Sequence, residues 1–155
     1  MPSADTERFL RHAIALALAN VRERGGRPFG AVLVKDGHVL ATGVNEVLAT
    51  GDPTAHAELL AIRAACRATG QVRLDGSVIY ASGHPCPMCL TAMYFTGIDR
   101  VFCAFSNESA QAYGLSTSHI YADLAKPGEQ RALPVVVSPV SLDDTHPYEA
   151  WRALR

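Results

Sequence analysis

"SVIYASGHPCPMCLTAMYFTGIDRVFCAF", Ser77 to Phe105, holds two short apolar runs of strand type, SVIYA and RVFCAF, around a stretch of helical character. Pro87 suits the first position of that helix, and the pattern continues to about Phe95. The segment therefore reads as strand, crossover helix, strand. Cys86 and Cys89 stand at i and i+3, so they share one face of the first turn, where two sulfurs can grip one ion. A helix N-terminus carries partial positive charge, which lowers thiol pKa and favours the thiolate a metal needs. Alone, the pair fits a thioredoxin-like redox couple or half of a structural zinc knuckle equally well.

Upstream, Ser3 or Asp5 can cap a first helix running to about Glu23, with Phe9, Ala13, Leu16 or Ala17 and Val21 as its apolar stripe. "FGAVLVKDGHVLATGVN" reads as two strands joined through Asp36-Gly37, whose tolerance of positive φ suits a tight hairpin. Pro53 suits a turn or a helix start, and Ala55 to about Thr69 should be helical, with Gly70 as the stop. Downstream the pattern predicts a short helix near Ser118 to Ala125, a strand "LPVVVS" from Leu133 to Ser138, and a final helix from about Thr145 through Trp151 to Leu154. This order predicts an α/β fold in which one mixed sheet lies between helices.

The chain has 155 residues, which predicts a single domain over 1–155 with a sizeable core. It is 48% hydrophobic with a formal charge of -1, without the basic excess that duplex or tRNA binding requires, so nucleic acid is an unfavoured partner. "FLRHAIALALANV" is interrupted by Arg11 and His12 and lacks the flanks of a signal peptide. It is also too short and too polar to cross a bilayer, which takes about 20 apolar residues. The expected protein is soluble and cytoplasmic, with its four cysteines reduced.

A second motif, "DPTAHAELLAI", places His56 and Glu58 at the start of the other helix. One His and two Cys make three ligands, the number a catalytic zinc keeps, leaving a fourth position for water whose pKa falls to about 7. Glu58 is then better used as a proton shuttle than as a fourth ligand, provided His56 lies in the first turn and Glu58 reaches back along it. Cys66 and Cys103 have no partner at ligand spacing and read as plain buried thiols. His12 and His38 read as solvated, and His119 and His146 as capping or surface groups.

H-A-E followed by P-C-P-M-C resembles the signature of the cytidine-deaminase-like zinc deaminases. "GVNEV", "DPTAHAE", "PCPMC", "HIYADLAKP" and "YEAWR" fall in an order similar to bacterial guanine deaminases. The resemblance implies a three-layer α/β/α sandwich with a five-stranded mixed sheet and hydrolytic deamination releasing ammonia. It implies Zn2+ held by His56, Cys86 and Cys89, with Glu58 as catalytic proton shuttle. Asn45 resembles the family's base-binding asparagine, and the backbone N–H around Ala57 is implied to meet a ring carbonyl. The resemblance also implies a homodimer, with the segment from about 106 to 155 exchanged between subunits.

The chain departs from that pattern where related guanine deaminases carry Glu before P-C-x-x-C, since His84 stands there. Their acidic pair falls on Ser116 and Thr117, and the aromatic beneath the base corresponds to Phe95. Phe29 and Tyr148 complete the expected substrate contacts, with Tyr113, Tyr148 and Trp151 as lid residues. These departures point to a pyrimidine such as cytosine or isocytosine, or an amino-s-triazine, in place of guanine. The competing readings are guanine deaminase proper, a nucleoside or tRNA adenosine deaminase, and a non-catalytic structural zinc protein.

Overall fold

The computed structural model describes residues 3–155 as two units, one through Tyr121 and one over Ala122–Arg155. In the first, α1 (Ala4–Arg24) is capped by Ser3, whose hydroxyl accepts from the Thr6 N–H. A hairpin follows, β1 (Gly30–Lys35) and β2 (His38–Val44), turning through Asp36 and Gly37 at φ 50° and 75°. Then come α2 (Val47–Thr50), α3 (Ala57–Thr69), β3 (Ser77–Gly83), α4 (Pro87–Thr96), β4 (Arg100–Phe105), α5 (Asn107–Gln111) and α6 (Ser118–Leu124), the last running across the boundary between units.

The sheet order is β2-β1-β3-β4, antiparallel across the first two pairs and parallel between β3 and β4. The parallel pair exists because α4 carries the chain back to the same end of the sheet. Side-chain alternation then divides the core in two. Val32, Val34 and Tyr80 pack with Phe9 and Ala13 of α1 on one face, while Ala31, Leu33, Ile79 and Ala81 meet α3 and α4 on the other. Helices thus cover both faces of a mixed sheet, as the element order predicted.

The approach of α3 to the sheet is set by Gly43. A Cβ there would lie 2.8 Å from the Ala61 nitrogen and closer still to the Ala57 carbonyl oxygen, so only glycine lets the helix sit this near. On the other face Gly30 admits α1 in the same way.

The five-stranded expectation is corrected: among the described residues the sheet has four strands. The segment Leu133–Ser138 belongs to the second unit and is not strand, and Leu133, Val135, Val136 and Val137 are all about four-fifths exposed. β-branched residues favour a strand only where an edge pairs with them. The second unit also contains a 3-10 turn (Gly128–Gln130) and α7 (Pro147–Ala153), whose first turn is capped by the His146 ring accepting from the Tyr148 N–H.

Candidate active site and metal centre

Two helix starts meet beyond the C-terminal ends of the parallel strands. His56 is the N-cap of α3, with extended backbone at φ -80° and ψ 151°. Cys86 is the N-cap of α4, Pro87 follows at the first helical position, and Cys89 completes the turn. His56 therefore stands just outside the helix rather than in its first turn. Residues at i and i+2 do not share a helical face, and with His56 outside the helix His56 and Glu58 need not do so.

His56 Nδ1 lies 3.5 Å from Cys86 Sγ and 3.6 Å from Cys89 Sγ, and the three candidate ligand atoms lie within 4.8 Å of one another. Tetrahedral zinc, with bonds of about 2.0 Å to nitrogen and 2.3 Å to sulfur, requires nitrogen–sulfur edges of about 3.5 Å. The donor set and its spacing therefore fit zinc. Three ligands leave one position for a small molecule.

The electrostatics suit a cation. The Cys86 thiol is brought down to about 4, chiefly by the hydrogen bond it shares with Cys89 and further by His56. Cys89 is pushed up because it keeps the proton of that pair, and burial adds to the effect. One negative charge is thus shared by two sulfurs until a metal displaces the remaining proton. The bond to Cys86 raises the His56 pKa, while burial and the Arg27 charge work against the rise. Glu58 is 7% exposed, and burial drives its pKa above the ordinary carboxylate value. Its Oε2 lies 3.6 Å from Cys89 Sγ, so the carboxylate borders the metal position without being needed as a ligand.

A cavity of about 310 Å³ opens onto this cluster, lined by Phe29, Asn45, His56, Glu58, His84 and Cys86 together with Arg27 and the Gly114–Thr117 loop. Asn45 is buried; its backbone N–H donates to Phe29 O, and its side-chain Oδ1 accepts from the Val47 N–H. That leaves its amide hydrogens for a ligand. Ala57 is fully buried at the first helical position, where a backbone N–H has no intrahelical partner. Phe95 is 78% exposed on α4 and is not among the lining residues. Tyr148, in the second unit, is 80% exposed. Cys66 and Cys103 are half-buried and pack against the core beside α3 and α4.

Several supporting residues carry no signal in the sequence. Asn107 holds the His84 ring, its Nδ2 lying 3.2 Å from Nδ1, while its Oδ1 accepts from the Thr117 N–H. The Tyr121 hydroxyl donates to Pro85 O at 2.6 Å, and its own pKa is pushed up to about 12 by burial and by the charges of Cys86, Cys89 and Glu58. Ser82, 2% exposed, accepts from the Gly30 N–H and joins the end of β3 to the start of β1. Asn20 donates to the carbonyls of both Arg27 and Asn45. These partners lie 7 to 52 residues apart in sequence, beyond the i to i+4 reach of local patterns.

Fold and centre together define a zinc-dependent hydrolase that acts on amino-substituted rings. The chain belongs to the family described as the cytidine and deoxycytidylate deaminase zinc-binding region, whose model matches residues 3–105. It is 43% identical to guanine deaminase of Bacillus subtilis over 94% of this chain and 93% of that protein. It is 46% identical to a tRNA-specific adenosine deaminase of Agrobacterium fabrum, over 59% of this chain and 62% of that one. In structure it is similar to the X-ray structure of the B. subtilis guanine deaminase, with a TM-score of 0.84 at 44% identity, covering 95% of this chain and 93% of the other. A guanine deaminase from Nitrosomonas europaea gives a TM-score of 0.68 at 26% identity, over 76% and 66% of the two chains.

Proposed function

We propose that this chain is a hydrolytic deaminase of a free amino-heterocycle, with Glu58 as the proton carrier. The observation that carries the reading is the buried Glu58 carboxylate beside the His56, Cys86 and Cys89 cluster, at the floor of a cavity sized for a small ring. His56, Cys86 and Cys89 would hold zinc, which would supply a bound water with its pKa lowered to about 7. Glu58 accepts the water proton and delivers it to a ring nitrogen as the water oxygen bonds the ring carbon that bears the amino group. A second proton carried to that amino group lets the C–N bond break, so ammonia leaves and the carbon keeps the oxygen as an oxo group. A carboxyl raised by burial is suited to both halves of that exchange. Asn45 Nδ2 and the Ala57 N–H orient the ring.

The substrate we favour is a pyrimidine such as cytosine or isocytosine, or an amino-s-triazine. Support comes from the lining: His84, Ser116 and Thr117 supply no carboxylate, so Glu58 is the one carboxylate among the described lining residues. A guanine edge rich in donors would find few acceptors there. Guanine is the second reading, favoured by the 43% identity to a guanine deaminase. The homodimer and exchange of the segment 106–155 are further proposals that rest on the family resemblance, and cytoplasmic residence is a further proposal that rests on the four unpaired cysteines. No described helix is long and apolar enough to cross a membrane.

The test is ammonia release by the zinc-loaded protein on guanine, cytosine, isocytosine, an amino-s-triazine, adenine and the matching nucleosides, with Glu58→Gln as control. The reading predicts turnover of a monocyclic base and a silent Glu58→Gln protein that still holds zinc. Turnover of guanine alone assigns the second reading. Full activity in Glu58→Gln refutes the role of Glu58.

A further inference from the structure

Arg27 lines the same cavity, and its charge is unspent. The ion pairs among the described residues involve Arg8, Arg11, Arg63, Arg73 and Lys126, and no hydrogen bond or ion pair engages the Arg27 guanidinium. An exposed arginine is ordinarily just solvated, so position alone decides nothing. The backbone beneath this one, however, is built to a fixed geometry. Arg27 O accepts from Asn20 Nδ2 at 2.9 Å and from the Phe29 N–H at 2.8 Å. Pro28 restricts Arg27 to extended conformations. Gly26 lies so close to the Asn20 amide that any Cβ would strike it.

The same Asn20 amide donates to Asn45 O at 2.9 Å, in a site where Asn20 and Asn45 are each 3% exposed. One buried amide thus fixes two of the residues that offer the cavity free donors. Asn45 contributes its Nδ2 hydrogens because Oδ1 is taken by Val47. The Gly114–Thr117 loop adds no competing anion: the Thr117 N–H and hydroxyl both donate to Asn107 Oδ1, and the Ser116 hydroxyl donates to Ser118. The cavity lining therefore includes one buried carboxylate, Glu58, and one arginine, Arg27, whose guanidinium has no ion-pair or hydrogen-bond partner among the described residues.

Resting on the deaminase reading above, we infer that Arg27, held with Asn45 by Asn20, is a specificity determinant that receives a negatively charged oxygen of the substrate. The preferred substrates are amino-heterocycles bearing a ring carboxylate or a deprotonated oxo group. A guanidinium can take a carboxylate through two parallel N–H bonds, and a charged hydrogen bond of this kind is about twice as strong as a neutral one.

The experiment compares matched substrates, cytosine with cytosine-5-carboxylate and isocytosine with its 6-carboxylate, on wild type, Arg27→Gln and Arg27→Lys, all zinc-loaded. Equilibrium dissociation constants for the same compounds are measured on Glu58→Gln, with and without Arg27→Gln. The expected result is a carboxylate preference in kcat/KM of on the order of tenfold or more. That preference collapses toward one in Arg27→Gln through KM rather than kcat. Arg27→Lys keeps part of it, because a point charge attracts the anion without the fork. The dissociation constants follow the same ratio, and raising the salt shrinks it. Turnover of neutral and anionic members alike, with a ratio indifferent to Arg27, overturns the inference and leaves the deaminase reading standing. Absence of turnover and of binding for every heterocycle overturns the deaminase reading and this inference with it.

Discussion

Gly43→Ala tests whether the spacing between sheet and helix sets the metal centre. The added Cβ would lie 2.8 Å from the Ala61 nitrogen and nearer still to the Ala57 carbonyl oxygen, below the 3.0 Å that real Cβ atoms respect. Relieving the second contact takes a displacement on the order of 1 Å. β2 is poorly placed to yield, because it is paired along β1 and its far end is tied through Asn45 to Phe29 and Asn20. The start of α3 moves instead, carrying His56 and Glu58 away from Cys86 and Cys89. Overpacking of this kind costs about 1–3 kcal/mol, a fall of roughly 2–10 °C in Tm for a chain of this size. A 1 Å error in a catalytic constellation costs about a hundredfold in rate, and misoriented metal ligands cost about 10–100-fold in affinity. The assay is zinc affinity by competition with a chelator, with Tm of the metal-free protein measured alongside. Gly128→Ala is the control, since a Cβ there meets nothing within 4 Å. A Gly43→Ala protein with lowered Tm but native zinc affinity would show that β2 gave way, and would refute the coupling of this glycine to the metal centre.

Ser77→Ala should be neutral or stabilising in chemical denaturation, because Ser77 Oγ is buried without a hydrogen-bond partner and its removal relieves a desolvation cost of about 1–3 kcal/mol; a clear loss of stability would contradict this. Asn20→Ala leaves two carbonyls short of a donor, and denaturation should show a loss of about 1–3 kcal/mol. The pH dependence of the metal-free protein reports on Glu58. Its folded pKa lies above the ordinary 4.5, so the unpaired charge destabilises the fold above that pKa and the penalty vanishes below 4.5. Metal-free Glu58→Gln should therefore be more stable than wild type at pH 7 to 8, and the difference should close as pH falls toward 4.5. A gap that widens on acidification would reverse the assigned sign.

Elements whose signals are local could be read directly from the residues. Ser3, Asp36-Gly37, Pro87 and Gly70 mark caps, a hairpin turn and helix ends through properties of single residues, and each falls at the expected position. The two zinc motifs were legible for the same reason, since Cys86 and Cys89 at i and i+3 share a turn wherever that helix sits. Tertiary structure decided the rest. Whether Leu133–Ser138 is a strand depends on an edge to pair with, and among the described residues it has none. His56 turned out to be an N-cap because backbone conformation at a helix boundary depends on what the preceding loop is tied to, here Glu46 N–H to Ala55 O. The Asn20 clamp, the Asn107 bond to His84 and the unspent charge of Arg27 were invisible in the sequence. Hydrogen bonds spanning tens of residues leave no periodicity, and a side chain's partners exist only once the fold has brought them together.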